Sequence, residues 1–175
     1  PGKRADINIV SGDTADTLTV VSTWAGGRQV MDHGKMLVHY PVAEHRPCLL
    51  NTMTLKNPIT ADSFKVAAPE GAKKVRVKVM DTLPWIPITQ PREVELPVVD
   101  GAVQCDVDQD VLYIAQVERY GKNGNVGHAF MGGFHLKSGA VASSVGHDNH
   151  NIIVMGTNFE DMAFAVNHLV EIQGG

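Results

Sequence analysis

Ala140-Val141-Ala142-Ser143-Ser144-Val145-Gly146-His147-Asp148-Asn149-His150-Asn151-Ile152-Ile153-Val154-Met155-Gly156 is the stretch that decides how this 175-residue chain folds. Its outer parts, residues 140–145 and 152–155, are apolar and rich in β-branched side chains, so they read as two strands. Between them two histidines, one acid and several amides and hydroxyls crowd into the nine residues 143–151. A turn normally satisfies itself with one Asn, Asp or Gly, so the surplus points to chemistry or recognition. Beyond the second strand, Asn158 is placed to cap a helix, with Asp161 at the third helical position, where negative charge suits the dipole. Met162, Ala165, Val166, Leu169 and Ile172 recur at three- and four-residue steps as an apolar stripe. Gly174 is a natural C-terminal stop. The segment reads strand, polar turn, strand, helix.

Working outward, residues 111–117 are mostly apolar and form a buried strand, separated by the glycines of residues 121–127 from another at Ala129-Phe130-Met131. Val75 to Met80 alternates with Lys74, Arg76 and Lys78, the pattern of a half-buried strand with one wet face. Pro84, Pro87, Pro91 and Pro97 push residues 85–89 and 93–99 toward sheet edges or irregular strands. Pro41, Pro47, Pro58 and Pro69 leave room between residues 40 and 72 for short strands and one brief helix. Near the start, residues 5–10 and 18–24 have strand character, and Gly26-Gly27 suits a tight hairpin into Arg28 to Met31. A second turn at Asp32-His33-Gly34-Lys35 leads into Met36-Leu37-Val38. This first block, residues 1–38, is all-β and too small to bury a core alone, so it must complete a neighbour. The rest, residues 39–175, reads as an α+β domain. The fold class is therefore α+β and strand-dominated.

The net charge of −4 and the 43% of apolar residues describe an ordinary globular protein. Nucleic-acid binders are more often basic, and none is expected as a partner. No apolar run approaches the ~20 residues that cross a bilayer, so no membrane is expected either. Cys48 and Cys105 read as two free thiols in a reducing, cytoplasmic setting. The chain opens at Pro1 without a Met and closes on Gly174-Gly175, and is expected to be a piece of a longer polypeptide.

Candidate chemistry centres on His147, Asp148 and His150. Imidazole accepts or donates a proton near neutral pH, which suits proton shuttling. As metal ligands the two histidines would need further donors at about 2.0–2.2 Å. The alternative reading has Asp148, Asn149 and Asn151 capping backbone amides. Glu118-Arg119 closes a buried strand; it is either an ion pair tying a loop to the sheet or part of a site, and needs a partner in both cases. Ser143 lacks a Gly-x-Ser-x-Gly elbow, which argues against a serine nucleophile. Gly121, Gly124 and Gly127 open onto no helix, so they do not cradle phosphate. His128 and His135, seven apart, are expected on opposite faces of an extended strand.

Residues 142–152 resemble the Ala-Ser-Ser-Val-Ala-His-Asp-Ser-His-Asn-Ile segment of microbial adenine deaminases, metal-dependent members of the amidohydrolase superfamily. Gly146 stands where that family usually has Ala, and Asn149 where it has Ser. The likeness continues through Gly156-Thr157-Asn158, Asp161-Met162-Ala163 and Ala165-Val166-Asn167, and reaches back to Val117-Glu118-Arg119 and Gly124-Asn125-Val126-Gly127. Pro1, Gly2, Lys3, Ala5, Asp6, Ile7, Trp24, Gly27, Val30 and Gly34 resemble the segment by which many amidohydrolases leave the catalytic barrel and enter a small β-sandwich. The resemblance implies that residues 1–38 end such a sandwich and that residues 39–175 are a C-terminal domain, itself truncated. It implies conversion of adenine and water to hypoxanthine and ammonia in purine salvage, by a homo-oligomeric cytoplasmic enzyme. The divalent metal (manganese, iron or zinc) would be bound outside this segment, in a (β/α)₈ barrel of the same polypeptide. Such a barrel needs about 200–250 residues of its own, and the His-x-His pair that ligates metal in this family is missing from these 175 residues. His147, Asp148 and His150 would then be second-shell or substrate-facing groups, with Glu118, Arg119, Ser143 and Asn151 shaping the purine site. By itself the segment is expected to be inactive. A non-catalytic assembly or ligand-sensing module, or an amidohydrolase with another substrate, are the competing readings.

Overall fold

The computed structural model describes residues 2–147 and 149–175, which divide into two compact units, residues 1–45 and 46–175. The first unit is a four-stranded antiparallel sheet of β1 (Ile7–Ser11), β2 (Thr19–Ala25), β3 (Arg28–Asp32) and β4 (Lys35–Met36), in that order. Gly26 and Gly27 take φ of 58° and 80°, the pair of positive angles that a two-residue type I′ hairpin demands. The Asp6 carboxylate accepts the Gly26 N–H at 2.7 Å and Arg4 Nε at 3.0 Å, fixing the turn. The Gly26 amide, followed by Arg4, holds that carboxyl below its usual range. Only Val30 and Ser22 are buried among the described residues of this unit.

The second unit carries a seven-stranded sheet. Its strands are β5 (Lys74–Thr82), β6 (Thr89–Val99), β7 (Ala102–Val103), β8 (Leu112–Val117), β9 (Val126–Gly132), β10 (Ala140–Ser143) and β11 (Ile152–Gly156), in the order β10-β11-β8-β9-β5-β6-β7. Every pairing is antiparallel except β5 with β9. Lys74, Arg76 and Lys78 are exposed, the wet face that their alternation with valine implied. Residues 83–88 lie outside the strands, in a turn at 84–85 and a bend at 86–87, and β6 is one continuous 11-residue strand although it contains Pro91 and Pro97. Six residues apart, these prolines share one hydrogen-bonding phase along β6. Both therefore direct the missing N–H away from β5, where β6 meets only the two-residue β7 at its far end. Between residues 46 and 73 the chain makes two short 3₁₀ turns, Pro47–Leu49 and Ala61–Phe64, where one brief helix was expected.

Helix α1 (Phe159–Glu171) packs on β10, β11 and the Ala61–Phe64 turn. Asn158 Oδ1 accepts the Asp161 N–H at 2.8 Å, the cap that the sequence foretold. Phe159, Met162, Ala163, Val166 and Leu169 form the buried stripe, whereas Ile172 is 55% exposed and falls outside it. These side chains meet Val117, Ile152 and Val154 of the sheet, and Met53, Ile59 and Phe64 complete the same core. Each large apolar side chain buried here contributes about 1.5–3 kcal/mol. The helix stop involves more than the expected glycine. Gln173 takes a positive φ of 61° ahead of Gly174 at φ 120°, and the Gly174 N–H closes the turn on the Leu169 carbonyl at 2.9 Å. Gln173 can hold this costly conformation because its side chain is bonded on both sides. Oε1 accepts the Met53 N–H at 3.1 Å, and Nε2 donates to the Met53 carbonyl at 3.3 Å.

Tyr113 sits in the core with its ring 4.4 Å from Phe159, and its hydroxyl reaches the Val103 carbonyl at 3.3 Å. Burial pushes its pKa up to about 12. Cys48 and Cys105 are free thiols, as the sequence suggested. Among the described residues no helix is long and apolar enough to cross a membrane.

Candidate functional site

Strand β8 ends at Val117, and the next three residues build the support of the polar turn. Glu118 is only 8% exposed, and its carboxylate is met by backbone amides. Its Oε1 accepts the Tyr120 N–H at 2.5 Å, and its Oε2 accepts the amides of Lys122, Asn123 and Gly124 at 3.1, 3.2 and 3.0 Å. One carboxylate thus organises the whole glycine-containing loop. The backbone amides, Gly124 first, hold the Glu118 carboxyl below its usual range against the opposing effect of burial. The ion-pair reading of Glu118 is replaced by this amide nest. Gly121 and Gly124 take positive φ to close it.

Arg119 and Tyr120 turn toward the β10–β11 connection. Arg119 Nε donates to the His150 carbonyl. The Tyr120 hydroxyl donates to the carbonyls of Asn149 at 3.1 Å and His150 at 3.4 Å. The Arg119 guanidinium and the Lys122 ammonium lie 5.2 and 5.6 Å from the Tyr120 ring centroid, within cation–π range. The turn is therefore gripped by its main chain.

Within the turn, the His150 N–H donates to the Gly146 carbonyl at 2.8 Å and the Asn149 N–H to the His147 carbonyl at 3.1 Å. Asn149 Oδ1 accepts the Asn151 N–H at 2.9 Å, an Asx turn. His150 adopts φ 54°, a left-handed conformation that costs energy for a residue with a Cβ. The grip on its carbonyl offsets that cost. Gly146 is buried against Ile153; a Cβ there would stand 2.8 Å from the Asn151 carbonyl oxygen and 3.3 Å from Ile153 Cδ1. Glycine lets the turn settle closely onto the sheet.

Of the residues singled out by sequence, Arg119, His150 and Asn151 converge on this turn, with Glu118 one step behind. His147 and His150 are both exposed. Ser143 Oγ accepts the Val145 N–H at 3.1 Å and donates to the Gly175 carbonyl at 3.1 Å, a bracing role. Asn151 Oδ1 is buried without a hydrogen-bond partner. Asp148 lies outside the described residues. Tyr120 escaped the sequence reading, since nothing local marks it. His128 and His135 do not share a strand. His128 lies in β9 with Nε2 2.8 Å from the Ser63 carbonyl, whereas His135 follows the strand and faces Asp110 at 3.3 Å.

The arrangement presents two imidazoles on a braced, outward-facing turn, able to exchange protons with something brought against it. Among the described residues no three His, Cys, Asp or Glu side chains converge as a metal site.

Known proteins place this geometry in context. Over 175 residues the chain is 44% identical to adenine deaminase 1 of Carboxydothermus hydrogenoformans, covering 100% of this chain and 28% of that protein. It is 39% identical over the same length to adenine deaminase of Moorella thermoacetica, and 40% identical over 176 residues to that of Mesorhizobium japonicum, in each case covering 100% of this chain and 29% of the relative. The chain thus spans under a third of the length of these relatives. The sequence profile of the adenine deaminase C-terminal domain matches residues 87–175, the span that holds β8 to β11, the braced turn and α1. By that match the chain belongs to the adenine deaminase C-terminal domain family.

Proposed function

We propose that these residues are the C-terminal portion of an adenine deaminase, which converts adenine and water to hypoxanthine and ammonia. The observation that carries this reading is the turn at residues 146–151, braced through its carbonyls by Arg119 and Tyr120 while its two histidines stay outward. Water adds at the ring carbon bearing the amine, and the amine leaves as ammonia. That exchange needs protons moved at the ring nitrogen and at the departing nitrogen. His147 and His150 are suited to that work when the turn lies against the purine site. Arg119, Tyr120 and Glu118 position them without touching substrate. The barrel and its divalent metal (manganese, iron or zinc) belong to the rest of the polypeptide. Residues 1–38 complete a β-sandwich with strands from elsewhere, which the exposed Ile7, Ile9, Leu18 and Met36 support. Purine salvage in the cytoplasm by a homo-oligomer is the setting we assign; two unpaired thiols, one of them exposed, fit a reducing compartment.

Replacement of His147 and His150 by Ala in the complete enzyme tests the assignment. The expected result is a fall in ammonia release from adenine by a factor of about 10²–10⁴, with unchanged melting behaviour. Unaltered kinetics would leave only an assembly role for the turn.

A further inference from the structure

The seven-stranded sheet has a second face, opposite α1, that is covered at one end, where Leu112 and Met155 are buried, and only half-buried along Ile114, Gln116, Ala129, Met131 and Ile153. Strand register fixes its members. Ile153 lies across from Gln116, which lies across from Gly127. The adjacent row is Met155, Ile114 and Ala129. Met131 and Met80, paired across the parallel β9–β5 junction, extend the surface. Ile114, Met131, Ile153 and Met155 all stand outside the core cluster that α1 completes. Gly127 floors a shallow depression walled by Met80, Ile114 and Ile153, and a Cβ at Gly127 would meet nothing within 4 Å. Met80 is 39% exposed and Ile114, Ala129, Met131 and Ile153 are half-buried, so an apolar strip across four strands stays partly open, and contiguous apolar surface left open marks an interaction site.

This face is continuous with the braced turn. Gly146 rests on Ile153, so whatever covers the patch also meets the turn that carries His147 and His150. The relatives supply an occupant, since more than two thirds of each lies outside the region matched by this chain. We infer that the β11–β8–β9–β5 face is the docking surface for that remaining part of the same polypeptide, and that docking there brings the turn to its place. The inference rests on the proposed function for the identity of the larger protein, but its test needs no turnover.

Two single-cysteine probes read the patch in the complete polypeptide. Gly127→Cys projects a thiol into the depression, and Gln116→Cys adds no volume and cannot wedge a docked surface apart. Labelling with a small maleimide is compared with that of the exposed native Cys48 in the same molecules. Docking predicts labelling of both probes at least about tenfold slower than Cys48, unchanged on dilution. Labelling as fast as Cys48 at both positions overturns the inference. Protection that disappears on dilution also overturns it, because the occupant is then a second copy. If the probes are protected while His147 and His150 variants turn over adenine normally, the docking surface stands and the catalytic reading of the turn falls.

Discussion

Residues 46–175 and residues 1–45 are both built mainly of antiparallel sheet, yet they differ in what the sheet covers. The larger unit buries Phe64, Leu96, Ile152, Met162 and Val166 to less than 2% exposure beneath α1. The smaller one leaves Ile7, Ile9, Val10, Leu18 and Met36 between 46% and 54% exposed. Hydrogen-bonded strands alone do not make a domain, because a sheet of this size gains independent stability only from an apolar layer laid over it. The first unit has the sequence of a half-buried sheet without the other half. The second has one face covered by α1 and another that is only partly covered.

Four measurements press on that contrast. Met162→Ala has the largest expected effect, a loss of about 2–5 kcal/mol in urea denaturation followed through residues 46–175, because the side chain is fully buried and leaves a cavity. A loss below ~1 kcal/mol would mean that the core collapses around the gap and is looser than drawn here. Glu118→Gln comes next and has a pH signature. The folded-state pKa of Glu118 is depressed, so its stabilising contribution is present above the ordinary carboxylate value and disappears as pH falls through the folded value. The melting temperatures of wild type and variant should differ at pH ~7 and converge toward pH ~3; a gap that stays constant would refute the amide-nest account. Asn158→Ala removes the helix cap and should cost about 1 kcal/mol, read as earlier amide exchange in the first turn of α1. The smallest effect belongs to the first unit. Ile9→Ala should cost less than about 0.5 kcal/mol in the 175-residue chain, and several times that in the complete polypeptide. Equal small costs in both settings would show that nothing covers this sheet.

Much of the architecture was legible because it is written locally. Alternation of Val75, Val77 and Val79 with basic residues defined β5, Gly26-Gly27 defined the hairpin, and Asn158 with the apolar spacing behind it defined α1. The polar turn between two apolar strands was equally plain. What escaped depends on residues far apart in sequence. Arg119 and Tyr120 reach a turn about thirty residues away, and no local pattern announces that grip. Glu118 called for a partner that the sequence left open between an ion pair and a site, since the actual one, a loop folded back on its carboxylate, exists only once Gly121 and Gly124 have taken positive φ. Gln173 takes positive φ ahead of the expected glycine at the helix end because Met53 supplies it with two hydrogen bonds across 120 positions of sequence. The partly open second face of the sheet was hidden for a different reason. Periodicity marks a strand as apolar on both sides without telling which side its own domain will fill.

The clasp between Met53 and Gln173 has a consequence for where the chain can be opened. Residues 53 and 173 are tied side by side although they stand 120 positions apart, so this stretch of chain forms a closed loop of structure. Joining those two places with a short linker and opening the chain elsewhere, at an exposed loop such as residues 83–88, should give a circular permutant with the same packed interior.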